Sequence, residues 1–365
     1  MRVIIIIFSL FFISFISISQ VNFTSDLNDA FKEAEESNKL ILVVYHNSEC
    51  PVCQDLENYF EMEEMGDFYN KYFVNYKLNT LEMKEAEEQL IDEANLSIKA
   101  VPVFLFFNTD RELVHYSSIQ RDLERLLSIG KTALNSLART SSLAPKYEGG
   151  DRSIRTLYAY CRLLDLYEND SLITEVAQEL YKAFPRKNRT TKKAYIVTKT
   201  CVNHIDNGFF KTWIENLETM QTHAPEGSEE HKKILQGILT KVLYSDEPNY
   251  WGLDKINQVK NYIEVTHLSD DPNVFLWEHE IRALLDENKE KEAQSLFKNR
   301  IAKSTTMESK IYIFEKSMAL FHTKESLQIV KNELDNLTPK TDYQKDKFEY
   351  LETLYIHEVN QVNEE

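Results

Sequence analysis

The sequence predicts an α/β domain followed by an all-α region, and three observations carry that prediction. Between Phe23 and Leu137, apolar runs of strand length alternate with amphipathic stretches of helical period. Beyond Gly150 strand signals almost vanish, leaving helical stretches of about 12 to 18 residues between short polar turns. The chain of 365 residues holds only 8 Gly and 8 Pro, too few for a loop-rich or sandwich architecture.

Each element follows from its own pattern. Asp26 to Ser37 reads as a helix: Ser25 is a candidate N-cap, and Leu27, Ala30, Phe31 and Ala34 recur at helical spacing. Leu40 to Tyr45 is a continuous apolar run, the signature of a central strand buried on both faces. Two cysteines come next, and Asp55 to Phe60 continues as a helix whose end in the acidic stretch Glu61 to Met65 the pattern does not fix. Tyr72 to Leu78 reads as a second strand and Lys84 to Asn95 as a helix. Val103 to Phe107 is a third strand, paired with Leu113 to Ser117 across a turn at Asn108 to Arg111. Arg121 to Leu137 closes the unit with an amphipathic helix. The segment Thr140 to Gly150, with Ser141, Ser142, Pro145 and Gly149-Gly150, marks a boundary. From Asn273 onward, helix-turn-helix units of about 34 residues suggest a tetratricopeptide-like α-solenoid, although the signature residues of such arrays are mostly missing.

Composition narrows the function classes. With 42% apolar and 28% charged residues the chain has the balance of a soluble globular protein, and a net charge of −17 disfavours nucleic acid as a partner. Arg2 followed by the apolar run Val3 to Ile18, with small Ser17 and Ser19 at −3 and −1 of a cut after Ser19, predicts a secretory signal peptide over residues 1–19. No second apolar stretch is long enough to span a bilayer, so no further membrane partner is expected and the mature chain is read as periplasmic or secreted.

Export governs how the four cysteines are read, because disulfides persist in an oxidising compartment. Cys50-Pro51-Val52-Cys53 lies just beyond a predicted strand and opens a predicted helix. Pro51 suits the first helical position, where its missing N–H costs nothing. Cys50 then falls at the N-cap, where free backbone N–H groups stabilise a thiolate, and Cys53 lies one turn in, within reach of the first sulfur. That geometry suits attack by Cys50 and resolution by Cys53. Other readings are a structural disulfide within the pair, or half of a zinc site completed by Cys201 and His204. Cys161 and Cys201 stand alone, as a disulfide between helices or as buried thiols. His46, four residues before Cys50, is a candidate to stabilise the thiolate or shuttle a proton. No Gly-rich phosphate loop, Ser–His–Asp arrangement or His-rich cluster appears, and no cofactor or metal is expected.

Taken together, Lys39 to Tyr45 leading into Cys50-Pro51-Val52-Cys53, then Tyr76-Lys77-Leu78-Asn79, then Ala100-Val101-Pro102 before Val103 to Phe107, resembles the thioredoxin family over residues 23 to about 138. Val21-Asn22-Phe23 and Asp67-Phe68-Tyr69-Asn70 look like exported thioredoxin-like proteins of the Bacteroidetes type, in which a helical tail follows the redox domain. The resemblance implies a thioredoxin fold, a central mixed sheet flanked by helices. It also implies a cis Val101–Pro102 peptide that faces the cysteines and holds an extended substrate backbone. The implied organisation is signal peptide 1–19, thioredoxin-like domain 20–139, linker 140–150 and helical domain 151–365.

The departures concern tuning. Glu49 stands where the family has Trp, and a carboxylate beside Cys50 is expected to raise its pKa. Val44 stands where the family has a buried Asp, removing the expected proton acceptor for Cys53, while Lys77 matches the family's nearby Lys. Pro51 after the first Cys is shared with glutaredoxin-like and disulfide-forming members, and Asp110-Arg111 replaces a Gly of the substrate face. The expected function is a thiol–disulfide oxidoreductase of the cell envelope. Its partners would be protein thiols and disulfides and an upstream electron donor or acceptor. The alternative is a non-catalytic interaction module that uses the same fold as a scaffold beside a helical-repeat surface.

Overall fold

The strand Leu40–His46 is the centre of a five-stranded mixed sheet in the computed structural model, which describes residues 20–119 and 121–364. The signal peptide expected over residues 1–19 lies outside the described residues. The first unit runs β1 (Phe23–Thr24), α1 (Leu27–Ser37), β2 (Leu40–His46), α2 (Pro51–Phe60), α3 (Glu63–Tyr72), β3 (Phe73–Asn79) and α4 (Glu85–Glu93). It continues through β4 (Val103–Phe107), β5 (Leu113–Ser118), α5 (Leu123–Leu134), α6 (Leu143–Glu148), α7 (Ile154–Leu166) and α8 (Asp170–Ala183). The sheet order is β1-β3-β2-β4-β5, with β1 and β2 parallel to β3, and β4 antiparallel to both β2 and β5.

The continuous apolar run of β2 has the predicted consequence. Leu42 and Val44 face a core of Leu56, Phe60, Tyr69, Phe73, Phe104 and Phe106, while Ile41 and Val43 alternate to the other side and are equally buried. Phe31 of α1 meets Phe107 edge-on across a 6.4 Å centroid separation. Each fully buried Phe or Leu contributes about 1.5–3 kcal/mol by leaving water. The expected cap of α1 moves by one residue, from Ser25 to Asp26, whose carboxylate accepts from the Asn28 and Asp29 amides. The helix ends at Phe60, the last residue of its expected range, and in the acidic stretch Glu63 and Glu64 open α3, where the positive end of the helix dipole favours them. The two-residue β1 carries too little sequence to show as a strand.

The first unit extends to Ala183, beyond the boundary expected at 140–150. That segment is a single 3₁₀ turn over Thr140–Ser142 and the short α6 rather than an extended linker. Tyr147 of α6 lies against Tyr160 of α7 with ring centroids 5.2 Å apart, and α7 and α8 pack on each other.

The second unit, Phe184–Glu365, is helical, as expected. Its α-helices are α9 (Lys192–Cys201), α10 (Gly208–Glu215), α11 (Leu217–Gln221), α12 (Glu230–Leu243) and α13 (Leu253–Val265), then α14 (Asn273–Asp286), α15 (Glu290–Lys303), α16 (Met307–Leu320), α17 (Lys324–Asp335) and α18 (Asp342–Glu364). Helix α14 opens at Asn273 and α16 at Met307, 34 residues on, and α15 and α17 open at Glu290 and Lys324 with the same offset. From α14 on, each helix packs against the next and the next but one, around Trp277, Phe297, Phe314, Phe321 and Leu351. This is the stacking pattern of helical-hairpin repeats. No helix among the described residues is long and apolar enough to cross a membrane.

Candidate active site

The chain leaves the end of β2 at His46 and turns through Asn47–Glu49 into α2. Asn47 shapes the turn: its side-chain oxygen accepts from the Glu49 amide at 2.8 Å and its carbonyl from the Cys50 amide at 3.1 Å. Cys50 is the N-cap in extended backbone (φ −79°, ψ 119°), Pro51 occupies the first turn, and the Cys50 carbonyl accepts from the Cys53 and Gln54 amides, each at 3.0 Å. Cys50 is half-buried, whereas Cys53 is 3% exposed.

The two thiols are driven apart in pKa. The Cys53 thiol donates to the Cys50 sulfur, and with the backbone N–H groups of Cys53 and Val52 this holds Cys50 below the ordinary thiol range. Burial, with the charges of Cys50 and Glu57 behind it, pushes Cys53 up to about 11. Glu49 is expected to oppose the helix N-terminus at Cys50, and the lowering set by the hydrogen-bond donors is the net direction. The Glu49 side chain is exposed, and the hydrogen bonds to the sulfur fix a downward shift.

Three residues stand behind the pair. Lys77 of β3 is directly across from Val44 in register and ion-pairs with Glu57 of α2, its ammonium 4.4 Å from the Phe23 ring centroid and 5.2 Å from that of Phe60. His46 is half-buried, and desolvation together with the Lys77 charge lowers its pKa against the opposing pull of Glu57. Sequence reasoning placed His46 and Lys77 here but missed Glu57. Its only signal was lying four residues beyond Cys53, on the same face of a helix.

The Val101–Pro102 peptide is cis, and Pro102 is buried. Tyr45 pairs with Val103, so the start of β4 lies at the sheet end from which the chain passes to Cys50. Of the residues read as further zinc ligands, Cys201 and His204 belong to the second unit, where the His204 Nε2 contacts Glu247 at 2.9 Å. Cys161 and Cys201 are each buried as a thiol, one in each unit.

A half-buried thiol at a helix N-terminus, a buried one a turn later and a cis-proline at the same sheet end form a recognisable constellation. Residues 27–127 match the sequence pattern described as the thioredoxin-like domain. The chain carries a thioredoxin-like domain. Among solved structures, its thioredoxin-like part is similar to the solution structure of a candidate disulphide isomerase from Bacteroides thetaiotaomicron, at 27% identity and a TM-score of 0.28, covering 32% of this chain and 96% of that one. It is also similar to the crystal structure of a disulphide isomerase from Xylella fastidiosa Temecula1, at 14% identity and a TM-score of 0.22, covering 32% and 91%. No curated protein matches the chain. Within the thioredoxin-like domain, Val44, the position of the family's buried acid, is 1% exposed and packs in the core, while a carboxylate reaches the neighbourhood of Cys53 from α2 instead.

Proposed function

We propose that this chain is a thiol–disulfide oxidoreductase of the cell envelope, exchanging disulfides with protein clients through Cys50 and Cys53. The supporting observation is the opposed setting of the two sulfurs: Cys50 accessible and lowered in pKa, Cys53 buried and raised. In the reducing direction the Cys50 thiolate attacks a client disulfide, forming a mixed disulfide and releasing one client thiolate. Cys53 then gives up its proton and attacks the Cys50 sulfur. This forms the Cys50–Cys53 disulfide, releases the second client thiol and moves two electrons from the pair to the client. An upstream dithiol restores the pair, and the same steps reversed oxidise a client dithiol. Val101 and Pro102 hold the client backbone beside Cys50. The envelope location rests on the apolar segment read as a signal peptide.

The test is the midpoint potential of the pair, by thiol trapping across defined redox buffers, together with Cys53→Ser trapping on insulin. The expected midpoint lies between about −120 and −270 mV, with a mixed disulfide through Cys50. A midpoint below about −300 mV with no trapped adduct would make the pair structural, and the chain a scaffold.

A further inference from the structure

We propose that α7, which lies beyond the residues matched to the thioredoxin-like domain, is a positioning clamp for the client-binding loop of this site. The inference rests on the oxidoreductase reading and concerns the segment Ser97–Pro102 and its strand neighbours. Five contacts carry it. The Ser97 amide donates to the Leu166 carbonyl at 2.8 Å, and the Ser97 hydroxyl donates to Glu168 at 2.7 Å. Lys99 is ion-paired with Asp165 at 2.6 Å. On the other side, the Tyr116 hydroxyl donates to the Arg162 carbonyl at 2.7 Å, and the Arg162 guanidinium donates to the Ser118 hydroxyl at 3.2 Å.

The register gives these contacts their meaning. Ser118 pairs with Val103, the residue after Pro102, and Ser97 and Lys99 lie on the run that leads into Val101. The end of α7 and the residues just past it therefore hold the run before the cis-proline, while Arg162 of the same helix holds the strand that pairs with the residue after it. The helix is itself fixed, because Leu157, Tyr160, Leu163, Leu164 and Leu166 are buried. A surface ion pair such as Lys99–Asp165 contributes little alone. A main-chain bond and two side-chain contacts on Ser97 and Lys99, with a part-buried hydroxyl and a side-chain contact on the neighbouring β5, define the position of the loop together. An extended client docking on Val101 and Pro102 then meets a loop already in place, so the ordering cost falls on folding and not on binding. The thioredoxin-like domain alone lacks this support, and the clamp makes α7 part of the redox module.

The test compares the full chain with its R162A/D165A/E168A variant, which removes three of the side-chain contacts from the clamp side and leaves the loop's own residues and the apolar face of α7 intact. Two probes separate clamp from chemistry: insulin, whose disulfides must dock, and hydroxyethyl disulfide, which is too small to need the loop. The variant is expected to show about a fivefold or larger rise in KM for insulin at unchanged kcat, with its rate towards hydroxyethyl disulfide and its midpoint potential kept within about twofold and 10 mV. Amides of residues 97–103 are expected to exchange with deuterium at least about tenfold faster. Unchanged exchange, or faster exchange with an unchanged KM, would overturn the clamp. If the parent chain turns over neither probe, the oxidoreductase reading fails while the exchange data still decide whether α7 fixes the loop. The variant K99D, which sets two acids side by side, and the charge swap K99D/D165K guard against a folding artefact: the swap is expected to exchange more slowly than K99D over residues 97–101, and equal exchange in the two would count against the clamp.

Discussion

Glu57 on α2 and Lys77 on β3 are ion-paired next to the buried Cys53, at the point where the sheet itself offers only Val44. The two charges act on His46 with opposite sign: Lys77 lowers its pKa and Glu57 raises it. Lys77→Met is therefore expected to move the His46 titration upward and Glu57→Gln downward, followed by NMR of the imidazole ring. Glu57→Gln is also expected to lower the Cys53 thiol, whose pKa the carboxylate raises. With side chains 28% and 48% exposed, the pair is expected to change stability by less than about 1 kcal/mol in either variant. His46 shifts of the same sign in both variants would contradict this electrostatic picture.

The hydrogen bond from Cys53 is the foremost cause of the low Cys50 pKa. At pH 7 iodoacetamide is expected to modify Cys50 well before Cys53 in the dithiol protein, read by peptide mass spectrometry. In Cys53→Ala the Cys50 pKa is expected to rise and its modification at pH 7 to slow by roughly threefold or more. Cys53→Ser is expected to keep part of the effect, because a hydroxyl still donates.

Gly130 of α5 sits against α3, and a Cβ placed there would stand 2.5 Å from the Phe68 ring and 3.1 Å from the Tyr69 hydroxyl. Elsewhere in a helix Gly→Ala stabilises by roughly 1 kcal/mol. Here the ring must move, and the buried bond from Tyr69 to the Leu126 carbonyl at 2.6 Å is put at risk. Gly130→Ala is expected to destabilise the first unit by about 1–3 kcal/mol in urea unfolding, with Phe68→Leu on the same background recovering part of the loss.

His115 is buried, stacked on Phe106 and accepting from the Thr140 amide through Nδ1 at 3.2 Å, which requires the neutral ring. Burial, aided by the Arg139 charge, pushes its pKa down to about 4 from an ordinary 6.5. The unfolded chain binds this proton below about 6.5 and the folded chain only below about 4, so the contribution is complete above 6.5 and is lost as pH falls towards 4. It amounts to at most about 3 kcal/mol. Urea unfolding of the parent and of His115→Gln between these limits is expected to show a flatter pH dependence in the variant.

The elements that a single segment encodes were legible before the structure. The buried strand Leu40–His46 announces itself by a run of apolar residues, and the Cys50 cap by proline in the position that follows. What stayed hidden depends on partners far away in sequence. Glu57 is one acid among many until Lys77 is seen across from it. Likewise Ser97 and Tyr116 are unremarkable polar residues until α7 returns to meet them. The downward direction of the Cys50 shift was legible in its N-cap position, whereas the leading role of the Cys53 thiol was not.

The fold takes hold of its chain very early. Val21 is 5% exposed and its amide donates to the Phe60 carbonyl at 2.8 Å, while the Asn22 amide donates to Asn70 at 2.8 Å, both before β1 begins. Phe23, next along, lies under the ammonium of Lys77. For anyone trimming or tagging this protein, a cut after Gln20 is not neutral. A cut a few residues later would remove the edge strand and one wall of the Lys77 cradle together, so a careless truncation would be misread as a defect in the redox pair.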